Sequence, residues 1–148
     1  MKVLFVCTGN ICRSPMAEAV MRHEVKRRSL DVQVDSAGTI SYHVGEKADN
    51  RTLLELKNRG VFHDGESRQV AKRDFYEFDY IFGMAGEHVS RLEQMRPQDS
   101  KAKVELFLDY SKKFDGDVPD PYYVEGFDLV YEMVKDGVKG FLDELKEA

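Results

Sequence analysis

Four consecutive apolar residues, Val3-Leu4-Phe5-Val6, lead directly into a turn-rich segment and then into Ser14-Pro15. A run with no polar face can be a strand only where both sides are covered, as in the middle of a parallel sheet flanked by helices. Ser14 is suited to cap a helix and Pro15 to its first turn. Met16, Ala19, Val20 and Val25 supply that helix's inner face, and Arg27-Arg28 fall at its negative end. The opening of the chain is therefore a strand, a tight loop and a helix.

The same alternation continues. Val32-Gln33-Val34-Asp35, Tyr80-Ile81-Phe82 and Val104-Glu105-Leu106-Phe107 read as further strands. Leu53, Leu54 and Leu56 predict a helix over 49–59, stopped by Gly60, and shorter helices are expected over 71–77 and 87–95. Phe127, Val130, Val134, Val138, Phe141 and Leu145 recur on one helical face and mark a long final helix. Strands alternating with helices predict an α/β fold with a parallel sheet and right-handed crossovers. With 148 residues and no repeat or linker, one domain over residues 1–148 is expected.

Composition narrows the partners. Net charge is −5, so the excess of Lys and Arg that nucleic acid requires is missing and no nucleic-acid partner is expected. The first apolar run is too short for a signal-peptide core or a membrane span, which predicts a cytoplasmic chain without membrane insertion. Thiols stay reduced there. Cys7 and Cys12 are too few for a disulfide framework, and such a pair alone makes a poor zinc site. The four histidines show no ligand spacing and are expected at the surface or in loops. No metal or cofactor is expected.

The chemistry concentrates in Val6-Cys7-Thr8-Gly9-Asn10-Ile11-Cys12-Arg13-Ser14-Pro15, between the first strand and its helix. Ligands in such sheets bind beyond the carboxyl ends of strands. Successive backbone N–H groups in a tight loop make a concave anion nest, and the helix N-terminus adds positive charge. Gly9 frees the backbone there. Arg13 can close the ring with a planar fork that holds two phosphate oxygens, which Lys cannot match.

The same field favours the thiolate of Cys7, since helix N-termini and cations lower thiol pKa values to about 3.5–7.5. Ser14 could hydrogen-bond that sulfur. A cysteine ending a strand is more often just a small buried hydrophobe. Here Gly9, Arg13 and the helix-opening Ser-Pro at fixed offsets argue for a nucleophile instead. A departing aryl group needs a proton, and Asp120, stiffened by Pro119 and Pro121, is the candidate acid. Asp115 and Asp117 read as ordinary turn residues.

The string from Val6 to Glu18, with Asp120-Pro121-Tyr122-Tyr123, resembles the low-molecular-weight protein tyrosine phosphatases, and the likeness extends over essentially the whole chain. It implies a single α/β domain whose four-stranded parallel sheet carries helices on both faces, and hydrolysis of protein phosphotyrosine through a phosphocysteine without metal. By position, Cys7 would be the nucleophile, Arg13 the phosphate clamp, and Asp120 the general acid and then base. Thr8, Gly9, Asn10, Ile11 and Cys12 would supply loop donors, with Asn10 bracing the loop. Tyr42 would form one aromatic wall and Tyr122 and Tyr123 the other, and Cys12 could trap oxidised Cys7 as a disulfide. A tyrosine kinase controlling polysaccharide export is one implied substrate. Three positions depart from the family's usual pattern: Ala85 where Asp is common, His88 where Asn is common, and Gly65 in place of a histidine, with His63 offset nearby.

Three rival activities share parts of the pattern. Bacterial arginine phosphatases share this loop but resemble one another in carrying Thr at the position of Ile11, whose apolar side chain narrows the slot. Thioredoxin-coupled arsenate reductases need cysteines beyond Cys12, and none follows. A non-catalytic phosphotyrosine reader would retain the nest and Arg13 while losing Cys7 or Asp120.

Overall fold

The computed structural model describes residues 1–122 and 126–147, with side chains through 146. Strand β1 (Lys2–Cys7) is followed by helix α1 (Arg13–Arg27), strand β2 (Gln33–Gly38) and helices α2 (Asn50–Asn58) and α3 (Asp74–Glu77). Strand β3 (Tyr80–Gly83), helix α4 (Gly86–Met95), strand β4 (Lys103–Leu106), a 3-10 turn over Phe107–Tyr110 and helix α5 (Phe127–Glu147) complete the chain. The four strands form one parallel sheet in the order β2-β1-β3-β4.

β1 lies between two strands and alternates its side chains between two cores. Val3, Phe5 and Cys7 face the side covered by α1, α2 and α5, where Phe82, Phe107 and Phe141 also pack. Leu4 and Val6 face the other side, against Phe75 of α3 and Leu92 of α4. Complete burial of Val3 through Val6 explains why that run has no polar face. Because the chain leaves β1 for β2 on one side and returns to β3 on the other, a crevice opens at the carboxyl end of β1. Such switch points are where open α/β sheets bind ligands.

Local differences from the sequence expectations have physical causes. α1 begins at Arg13 with Cys12 in the capping position, and Ser14 is already inside the helix. Its hydroxyl is taken by the loop rather than by the helix end. Phe107 leaves the sheet, because the chain turns there to drive the ring into the aromatic cluster, 5.1 Å from Phe5. α3 is confined to four residues. Asp49 caps α2 by accepting the Arg51 N–H at 2.9 Å, and Gly60 ends that segment with φ of 72°, open to glycine at little cost.

Candidate active site

The loop leaving β1 is fixed from below by its own side chains. Asn10 has φ of 59°, a left-handed backbone that costs a non-glycine residue roughly 1–2 kcal/mol. Three contacts offset that strain. The Asn10 amide donates to Ser14 Oγ at 2.8 Å and Ser36 Oγ at 2.9 Å, and its carbonyl oxygen accepts the Arg68 N–H at 3.1 Å. Ser36 Oγ in turn donates to buried Glu18, which also holds Arg22 at 2.8 Å. β2 can approach this closely only because it ends in Gly38: a Cβ there would lie 2.6 Å from the Thr8 carbonyl oxygen.

Above this foundation stand the reactive groups. Cys7 Sγ lies 3.0 Å from Ser14 Oγ, and both are buried. Arg13 is buried, donates from Nη1 to the Val118 carbonyl at 3.1 Å, and reaches Thr8 Oγ1 from Nη2 at 3.4 Å. Asp120 approaches from the opposite side, its Oδ2 3.6 Å from Arg13 Nη2 and its Oδ1 accepting the Tyr122 N–H at 3.0 Å. Cys7, Arg13 and Asp120 line one open cavity. Thr8, Gly9, Ile11 and Cys12 form the rest of its floor. Asn10 and Ser14 lie beneath the floor rather than in it. Burial first, then the Asp49 carboxylate, push the Cys12 thiol up to about 12, so it stays protonated at neutral pH.

The upper walls differ from expectation. Tyr42 does not line the cavity: it is 81% exposed at the rim, its ring edge-on to His43 at 4.8 Å. His43 and Ile40 take the wall position instead, with Tyr122 opposite. The reason is close packing, since a Cβ on Gly9 would meet His43 Cδ2 at 2.8 Å. Tyr123 lies outside the described residues.

Histidine placement needs correction at one of the four: His63 lies in a loop as expected, although its side chain is shielded, whereas His88 is buried inside a helix. His63 has its side chain buried near Glu18, 4.0 Å away, and burial pushes its imidazole pKa down. His88 is 1% exposed at the start of α4, with Nδ1 accepting the Ala85 N–H at 3.0 Å and Nε2 2.9 Å from Thr8 Oγ1. Burial and then the Arg13 guanidinium push it down to about 4. Asp117 is more than a turn residue as well: its carboxylate caps α4 through the Gly86 N–H at 2.8 Å. No sequence signal near His88, Asp117 or Val118 announces these contacts, which join segments far apart in the chain.

Comparison with known proteins agrees with the architecture. Residues 2–148 match the family model described as low molecular weight phosphotyrosine protein phosphatase. A protein of that name from Schizosaccharomyces pombe is 43% identical, over 97% of this chain and 96% of the relative. The low molecular weight protein-tyrosine-phosphatase YfkJ of Bacillus subtilis is 38% identical over 98% and 96%. Among solved structures, a protein tyrosine phosphatase from Entamoeba histolytica superposes with a TM-score of 0.95 at 41% identity, covering 99% of this chain and 97% of that one. A Drosophila arginine phosphatase superposes at 0.94 with 39% identity, covering 99% and 98%. The chain belongs to the low molecular weight phosphotyrosine protein phosphatase family.

Proposed function

We propose that the chain hydrolyses phosphotyrosine in proteins through a phosphocysteine intermediate, with Cys7 as nucleophile, Arg13 as phosphate clamp and Asp120 as acid and base. The supporting observation is that Cys7 Sγ, the Arg13 guanidinium and the Asp120 carboxylate share one cavity whose floor is backbone at a helix N-terminus. In the first step the Cys7 thiolate attacks phosphorus. The bond from phosphorus to the tyrosyl oxygen breaks, and protonated Asp120 gives its proton to that oxygen. In the second step Asp120 takes a proton from water, the resulting hydroxide attacks phosphorus, and the phosphorus–sulfur bond breaks to return the thiolate. Ser14, 3.0 Å from Sγ, stabilises that thiolate as a leaving group. Arg13 is already held by the Val118 carbonyl, so little rotamer freedom is lost when it grips the phosphoryl group.

The slot selects the leaving group. Ile40, His43 and Tyr122 rise above the floor and suit the faces of a phenyl ring, which carries its phosphate deeper than serine can. Ile11 is 8% exposed and lines the floor as a purely apolar group, which favours an aryl ester over a guanidinium that seeks hydrogen-bond partners. The steps use no metal, and tyrosine-phosphorylated cytoplasmic proteins, a tyrosine kinase among them, are the substrates this reading implies. The test compares phosphotyrosine, phosphoarginine and phosphoserine peptides with wild type and Ile11→Thr. Wild type should turn over phosphotyrosine at least about 100-fold faster than phosphoserine, the range open to well-formed pocket contacts. Ile11→Thr should shift the ratio toward phosphoarginine. Preference of wild type for phosphoarginine would assign the chain to the activity named for its Drosophila structural relative.

A further inference from the structure

Among the described residues, Thr8 brings to the cavity floor a hydroxyl that the proposed reaction leaves without a task. Two groups lie within hydrogen-bonding distance of it among the described residues, and both come to it as donors. Arg13 Nη2 is 3.4 Å away and carries only hydrogens. His88 Nε2 is 2.9 Å away, and its role follows from its other nitrogen. Nδ1 receives the Ala85 N–H at 3.0 Å, so Nδ1 carries no proton. A neutral imidazole with a bare Nδ1 must carry its proton on Nε2, which then donates to Thr8 Oγ1.

The charged surroundings hold that state. His88 faces Arg13 from α1, Asp117 and Asp120 from the loop before α5, and Glu87 beside it, whose Oε1 is 3.6 Å from Nε2. Burial and Arg13 outweigh these carboxylates, leaving the ring neutral near pH 7. Protonation would place an N–H against the Ala85 N–H and break the contact that starts α4. With both lone pairs of Oγ1 taken, the Thr8 hydroxyl proton has to point away from His88 and Arg13, and Thr8 borders the cavity.

We infer that Thr8 is a direct ligand of the phosphoryl group, its hydroxyl donating to a phosphoryl oxygen, and that His88 is the positioning residue that aims it. Thr8 thus adds a neutral side-chain donor to the backbone nest and Arg13, and α4 is coupled to the phosphate site through a single imidazole. This inference rests on the phosphatase reading above.

Its test uses vanadate, a phosphate-like oxyanion, with inhibition constants measured beside kcat and KM for an aryl phosphate. Thr8→Val keeps the shape and removes the donor, and a lost hydrogen bond to a charged group should raise the vanadate constant about tenfold or more. Thr8→Ser restores the hydroxyl and should return the constant to within about threefold of wild type. His88→Ala should weaken vanadate in the wild-type background and change it less than about twofold in the Thr8→Val background, since interacting residues give non-additive effects. A Thr8→Val protein that binds vanadate as wild type does would overturn the inference while leaving the reaction intact. Additive losses from Thr8→Val and His88→Ala would also overturn it, by showing that His88 acts on the fold alone. Should His88→Ala fold poorly, the Thr8→Val and Thr8→Ser pair still decides whether the hydroxyl binds. Failure of wild type to bind vanadate or release phosphate, by contrast, would remove the underlying phosphatase reading and this inference with it.

Discussion

Two segments face each other across the cavity and are held in opposite ways. The loop from Cys7 to Ser14 is braced on nearly every side: Asn10 ties it to β2 and to Arg68, Ser67 Oγ donates to the Gly9 carbonyl at 2.9 Å, and the Asp49 N–H donates to the Ile11 carbonyl at 2.8 Å. The segment from Val118 to Tyr122 is pinned at its ends. The Val118 N–H donates to the Met84 carbonyl at 2.9 Å, and Arg51 Nη2 donates to the Tyr122 carbonyl at 3.1 Å. Between those pins the Asp120 side chain is 36% exposed. The contrast fits the chemistry each segment is assigned. A phosphate cradle works by holding dipoles fixed before the substrate arrives, whereas an acid that later serves as base must reach first the leaving oxygen and then water.

That contrast can be broken by substitution, starting with the largest effect. Cys7→Ser should abolish turnover of aryl phosphates in steady-state assays, because an unactivated hydroxyl replaces a thiolate. Asp120→Asn should lower kcat by about 10²–10⁴-fold on aryl esters with poor leaving groups and far less on good ones. An equal loss across leaving groups would remove Asp120 from the role of acid. Asn10→Ala should cost about 2–4 kcal/mol in urea denaturation, by leaving two hydroxyls and one N–H without their partner and placing Ala in a left-handed conformation. Arg51→Ala, acting on the end-pinned segment, should leave stability within about 1 kcal/mol, since the Arg51 end of its ion pair with Asp49 is 48% exposed and screened by water. If Asn10→Ala proved as mild as Arg51→Ala, the two segments would not differ as described.

A separate effect is a dependence on pH. His88 binds its proton near pH 4 when folded and near 6.5 when unfolded. Between those values the unfolded state holds the extra proton, so stability is full above pH 6.5 and falls as pH drops toward 4. His88→Asn should remove up to about 2–3 kcal/mol of that acid-dependent loss in denaturation curves at pH 7 and pH 4.5.

The braced segment is also the one most legible in the sequence. Val3 to Pro15 specify strand, loop and helix from contiguous residues, and the burial of β1 follows from its composition alone. What escaped is contact between segments remote in the chain. Asp117 supplies the cap that Ala85 cannot, and His88 reaches back to Thr8 across 80 positions. Neither partner carries a local mark of the other. The rim loop shows a finer limit: Tyr42 and His43 are adjacent, and only the packing of His43 on Gly9 determines which of them lines the cavity.

Acid quenching of Asp120→Ala during turnover of an aryl phosphate, followed by peptide mapping, locates the phosphoryl group between the two steps. Phosphate should be found on the peptide holding Cys7 and be lost in the Cys7→Ser protein. Phosphate on another side chain, or burst release of phenol with no phosphoenzyme under any quench, would contradict it.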